Sequence, residues 1–148
     1  MVDVDGLYEV IRRTLEIGYG STRFVKVYGY EPMGVTPGPG PFAAFWYTGE
    51  SETQETMGNV MVTHTFDMAL LWPMPADQSG REAIDRALMK ATRDIKTAFR
   101  ANSQLDGYAS DMKLGDANLG YGQFGNADYR AQRWTIFVMN LEEESIVA

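Results

Sequence analysis

Cysteine is absent from this chain and histidine occurs once, at position 64. The first absence excludes disulfide scaffolds, zinc ribbons, iron–sulfur clusters and thiol catalysis. The second excludes His-rich metal centres. Long apolar runs are missing too. The longest, Phe42 to Tyr47, falls far short of the ~20 residues that a membrane-spanning helix needs. The first residues, Met-Val-Asp-Val-Asp-Gly, are acidic and hold no apolar core. They do not read as a signal or transit peptide. The expectation is a soluble chain made in a cytoplasm, with no membrane partner. Basic residues are outnumbered, 13 against 20 acidic, which leaves a net charge of −7. Such a chain is repelled by a phosphate backbone, so sequence-specific nucleic-acid binding is not expected. Recognisable chemical motifs are scarce: there is no nucleophile elbow, phosphate loop, His-Glu-x-x-His pair or EF-hand loop. No catalytic residue, cofactor or metal set is predicted from the spacing.

What remains is ordinary globular material. The 148 residues are 45% hydrophobic and 22% charged, which suits a single domain over 1–148 rather than a disordered chain. Apolar residues at Val4, Leu7, Tyr8, Ile11 and Leu15 form one helical stripe, predicting a helix from Asp3 to about Leu15. Asp3 or Asp5 can cap its start, and Gly18 and Gly20 end it. Phe24 to Tyr30 reads as a strand. The Pro/Gly-dense segment from Glu31 to Pro41 reads as a stiffened loop. Phe42 to Thr48 is a second strand. The polar stretch Gly49 to Gly58 is either a mobile hairpin or a hairpin whose arms project beyond the sheet. Asn59 to Trp72 is a long strand. It carries Val60, Val62, His64, Phe66, Met68, Leu70 and Trp72 on one face and Thr63, Thr65 and Asp67 on the other. Ile84, Leu88, Ala91, Ile95 and Ala98 define a second amphipathic helix from about Ser79 to Ala101. Ser79 or Asp77 would cap it, with Glu82 completing a capping box. Met112 and Leu114 suggest a short strand. Gly115 to Gly125 reads as loop, and Tyr129 to Leu141 as a closing strand with Trp134, Ile136 and Val138 on one side. The order α-β-β-β-α-β-β predicts an α+β fold: a mostly antiparallel sheet with two helices on one face.

The charge is unevenly spread. Residues 81–100 hold six basic side chains against three acidic ones, so the second helix is basic on an acidic protein. It is either a solvated face or a surface that pairs with an acidic partner, and Arg86, Lys90 and Arg93 are the candidate contacts. Glu50, Glu52 and Glu55 cluster in the polar hairpin, where they are solvated, bind a partner, or hold a divalent ion. Gly120-Tyr-Gly-Gln-Phe-Gly125 matches the dinucleotide pattern, but no strand–turn–helix surrounds it, so a loop is expected. His64, between Val62 and Phe66, is expected to be a buried, hydrogen-bonded structural residue. The alternative is a ligand-binding protein or enzyme that uses His64, Tyr28 or Asp67 in an enclosed apolar pocket.

The pattern resembles the bacteriophage tail terminators, also called tail-completion proteins, over nearly the full length. The resemblance runs from the helix Asp5-Gly-Leu-Tyr-Glu-Val-Ile11 to Pro41-Phe-Ala-Ala-Phe-Trp46 and the polar excursion after it. It continues through Thr63-His-Thr-Phe-Asp-Met-Ala-Leu-Leu71, the long helix at 79–101, and the final strand Arg130 to Leu141 beside an acidic end. It implies a structural, non-enzymatic protein forming a hexameric ring on the tail tube, ending tube polymerisation and docking the head. The implied partners are further copies of the chain, the major tail tube protein and a head-completion or connector protein. DNA would pass through the pore without sequence-specific binding. The implied place is the tail–neck region of a virion assembled in the host bacterial cytoplasm. On that reading Glu50, Glu52, Glu55, Arg86, Lys90 and Arg93 face neighbours, and Glu142, Glu143 and Glu144 face the pore. Another head–tail connector protein of the same neck region stays open as an alternative.

Overall fold

The structure, a computed structural model, describes residues 3–16, 24, 26–31, 41–74, 78–124 and 127–143. Its elements are α1 (Val4–Glu16), β1 (Lys26–Tyr28), β2 (Phe42–Thr56), β3 (Asn59–Pro73) and α2 (Gln78–Ala101). A short 3₁₀ turn (Leu105–Gly107) then leads to β4 (Asp111–Leu114), β5 (Asn118–Phe124) and β6 (Ala127–Glu143). The sheet runs β1-β2-β3-β6-β4, and β5 also pairs with β6. All pairings are antiparallel except β1 with β2. Strand β4 faces the Ile136–Met139 part of β6, and β5 faces the Ala127–Arg133 part. The expected α+β class holds.

Both helices cover the same sheet face. Leu7, Val10, Ile11 and Leu15 of α1, with Leu88, Ala91, Ile95 and Phe99 of α2, share one core with Phe45, Phe66, Met68, Leu70, Trp134, Ile136 and Val138. Burying such side chains contributes about 1.5–3 kcal/mol each, which is what holds two amphipathic helices on a sheet. The helix starts as predicted: Asp3 Oδ1 accepts from the Gly6 N–H at 3.0 Å. Val4, however, is exposed and belongs to no core. The opposite sheet face is not simply polar. Tyr28, Phe42, Ala44, Ala69, Leu71, Tyr129 and Ala131 form a second buried cluster there. Alternation along β3 therefore places apolar residues on both sides at its Ala69–Leu71 end.

Three sequence expectations are corrected, and one of two open readings is decided. The first strand is only Lys26–Tyr28 among the described residues. The Gly-rich segment is not a loop: Asn118–Phe124 is a strand, because β6 supplies a backbone ladder whatever the side chains are. The polar stretch after Thr48 is strand up to Thr56, so the hairpin with projecting arms is the form observed. Gln78 already lies in α2, so Ser79 is inside its first turn, not at its cap. Gly18, Gly20, Asp77 and most of the Pro/Gly segment lie outside the described residues.

Candidate functional site

Strands β2 and β3 continue past the helix-covered core, and β6 runs beside them. Glu50 pairs with His64, Glu52 with Val62 and Gln54 with Val60. On the far side of β3, Val60 pairs with Glu142 and Asn59 with Glu143. The result is a three-stranded arm ending in the turn Met57–Gly58. Gly58 has a φ of +88°, a left-handed conformation that glycine adopts without penalty. Asn59 Nδ2 donates to Thr56 Oγ1 at 3.0 Å and fastens the tip. Residues 49–65 and 137–143 include no Lys or Arg, and they carry Glu50, Glu52, Glu55, Glu142 and Glu143. The structure thus joins two acidic groups that lie far apart in the sequence. The side chain of Glu143 and all of Glu144 lie outside the described residues. Among the described residues no three acidic or histidine side chains come together in a way that could hold a metal ion. No helix among them is long and apolar enough to cross a membrane.

A second surface lies between α2 and the β5–β6 edge. It is a groove of about 600 Å³, with Met89, Arg93, Lys96 and Arg100 on its helix side and Leu119 and Gln132 on its sheet side. At one end the charges are matched. Arg86 donates to Glu82 at 2.7 Å, and Arg130 Nε donates to Asp85 at 2.8 Å. The bond to Asp85 holds the Arg130 guanidinium above its ordinary pKa, and its Cζ sits 4.4 Å from the centre of the Tyr121 ring. At the other end Lys96 Nζ donates to the Gly115 carbonyl at 2.8 Å, a neutral partner. Burial, then the nearby Arg100, lower the Lys96 pKa, and Asp116 opposes them. Among the described residues the acidic lining of the groove is Glu82 and Asp85, at the other end from Arg93 and Arg100. Of the predicted helix contacts, Arg86 and Arg93 line this groove, while the exposed Lys90 does not. Met89 and Leu119, 64% and 42% exposed, were not foreseen, and Met57, 91% exposed, sits at the arm tip. Single exposed apolar residues leave no periodic signal in a sequence.

His64 is not the satisfied core residue that its register suggested. Its Nδ1 lies 3.6 Å from Glu50 Oε2, and its buried Nε2 has no hydrogen-bond partner among the described residues. It borders an open cleft of about 300 Å³ with Val4, Leu7, Tyr8, Tyr47 and Phe66. Tyr28 and Asp67 lie on the opposite sheet face, Asp67 accepting from the Thr135 hydroxyl at 3.0 Å. The predicted grouping of His64 with Tyr28 or Asp67 in one enclosed pocket therefore does not form.

No protein-family model matches the sequence, and no curated protein is significantly similar to it. Among solved structures, the chain is similar to the sheath/tube terminator of an extracellular contractile injection system (PVC) in its extended state. The identity is 10% and the TM-score 0.46. The match covers 98% of this chain but only 61% of that one, and at this level of likeness none of the neighbour's role transfers.

Proposed function

We propose that this chain is a structural tail terminator: a virion protein whose copies form a ring, a hexamer on the family pattern, on the end of a tail tube. The ring stops tube growth and offers a surface to a head-completion or connector protein, while DNA passes through its centre. The observation that supports this reading is the acidic three-stranded arm. The polar segment that forms part of the family resemblance stands beyond the helix-covered core as a projection suited to contact with another subunit. Net negative charge repeated around a pore would keep DNA from adhering to it. The reading assigns no catalysis to the chain.

The test is tube growth. Purified chain added below stoichiometry to polymerising tail tube protein should give shorter tubes with extra density at one end in electron micrographs. Unchanged tube lengths at saturating chain would reject the proposal. A second reading, a small-ligand binder, draws on the cleft beside His64, whose walls of Val4, Leu7, Tyr8, Tyr47 and Phe66 suit a small aromatic compound. It predicts that such a compound raises the melting temperature of the wild type and leaves His64→Ala unchanged.

A further inference from the structure

We infer that the arm of one copy seats in the α2–β5 groove of the next copy, in a directional contact between two different surfaces of the same chain. The two surfaces match in charge. The arm has carboxylates and no Lys or Arg, while Arg93, Lys96 and Arg100, with Asp116 near Lys96, leave their end of the groove net positive. They also match in apolar surface, since the exposed Met57 at the tip meets an exposed pair, Met89 and Leu119. The spacings agree as well. Along a strand at about 3.4 Å per residue, Met57 lies ~7 Å from Glu55 and ~17 Å from Glu52. Along a helix at about 1.5 Å per residue, Met89 lies ~6 Å from Arg93 and ~16 Å from Arg100. With Met57 on Met89, Glu55 and Glu52 fall at the distances of Arg93 and Arg100, and the irregularity between Gln54 and Thr56 breaks the strict alternation that would otherwise turn the two carboxylates to opposite faces.

A chain cannot make this contact with itself. Gln132 lines the groove, and Glu142 pairs with Val60 close to the tip. Ten residues of continuous strand separate these points by about 34 Å. The partner is a second copy, and because arm and groove differ, each copy keeps one free end for the next. Such contacts close into rings or extend into filaments. The contact does not depend on what the assembly caps.

The test uses the full-length chain and two variants that reverse charge on opposite sides. One is Glu52→Lys with Glu55→Lys, the other Arg93→Glu with Arg100→Glu. All four residues are exposed, and circular dichroism checks that each variant folds. Light scattering at low salt should show wild type assembling, each variant alone at least tenfold weaker, and an equimolar mixture recovering assembly. Recovery follows because each variant then offers the charge that the other lacks. A wild type that stays monomeric throughout, variants that assemble like wild type, or a mixture without recovery would each overturn the contact. Should a charge variant fail to fold, Met57→Asp, at a position that touches no core, must by itself weaken assembly several-fold. Assembly without tube capping would retire the terminator reading and leave this contact standing. Capping by a monomer would do the reverse.

Discussion

On the first turn of α1, position 6 is crossed by the ring of Tyr108. A Cβ there would overlap Cε1 and Cζ of that ring and lie 2.9 Å from Cδ1. Alanine normally improves a helix by about 0.5–1 kcal/mol over glycine. Here overpacking, about 1–3 kcal/mol, should win. Gly6→Ala is expected to lower the urea midpoint, and a raised midpoint would show that Tyr108 moves aside freely. Asp106 poses a different residue-scale problem. Its φ of +56° follows a Leu105 at +48°, two left-handed residues in a row. The turn is held by bonds: Arg13 and Asn102 donate to the Asp106 carboxylate at 2.8 and 2.9 Å, and Asn102 Oδ1 accepts from its N–H. Those side-chain bonds, Arg13's first, hold the Asp106 carboxyl below its ordinary pKa. A pKa lowered in the folded state adds stability above the unfolded value, near 4, and loses it as pH falls through the folded value. Asparagine tolerates the left-handed conformation. Asp106→Asn should therefore melt below wild type at neutral pH and converge with it in strong acid. A gap that persists in strong acid would mean that the bond geometry, not the charge, sets the difference.

Among the elements, α2 separates stability from contact. Ile95 is buried in the core, whereas Arg93, two residues earlier, is exposed on the groove. Ile95→Ala should cost about 2–5 kcal/mol through the cavity it leaves. Arg93→Ala should stay within about 0.5 kcal/mol, as surface changes do. Chemical denaturation of both variants checks this, and comparable losses would mean that the groove side of α2 is packed in the monomer. Both helices were legible because apolar residues three and four apart have one physical use, covering a sheet. The arm was half legible. Glu-Ser-Glu-Thr-Gln-Glu-Thr, residues 50–56, holds no apolar residue to reveal a period of two, and its strand exists because β3 offers it a ladder. Strand β5 was missed because Gly120 and Gly122 in its middle read as loop signals, while its ladder comes from β6. Of the site, the charges could be read directly. The joining of Glu142 to the Glu50–Glu55 group could not, because it depends on β6 pairing with the far end of β3.

For the molecule as a whole, the consequence is a gradient of stability along one continuous sheet. At the core end, β3 lies between β2 and β6 under two helices, and Phe66, Met68 and Leu70 are almost fully buried. Past His64 the same ladders continue with no helix above them among the described residues. From Glu50 onward the β2 residues of the arm are exposed. Local opening needs least free energy where few apolar contacts break, so hydrogen exchange should grade along the strands rather than between them. Amides of Phe66–Leu71 and Ala131–Val138 should exchange only through global unfolding. Within the arm, β3 amides between Met61 and Thr65 are flanked by strands on both sides and should exchange at intermediate rates. Those of β2 between Ser51 and Thr56 should exchange first, because among the described residues β1 extends β2 only at Phe42–Ala44. Exchange read by mass spectrometry on the dilute chain tests this order. Repeating it at concentrations where copies associate adds a second expectation: protection should rise in Ser51–Thr56 and in the exposed part of α2 together. Protection gained in only one of the two would break the pairing of arm with groove. Uniform protection along β2 in the dilute chain would show that the arm is held as firmly as the core.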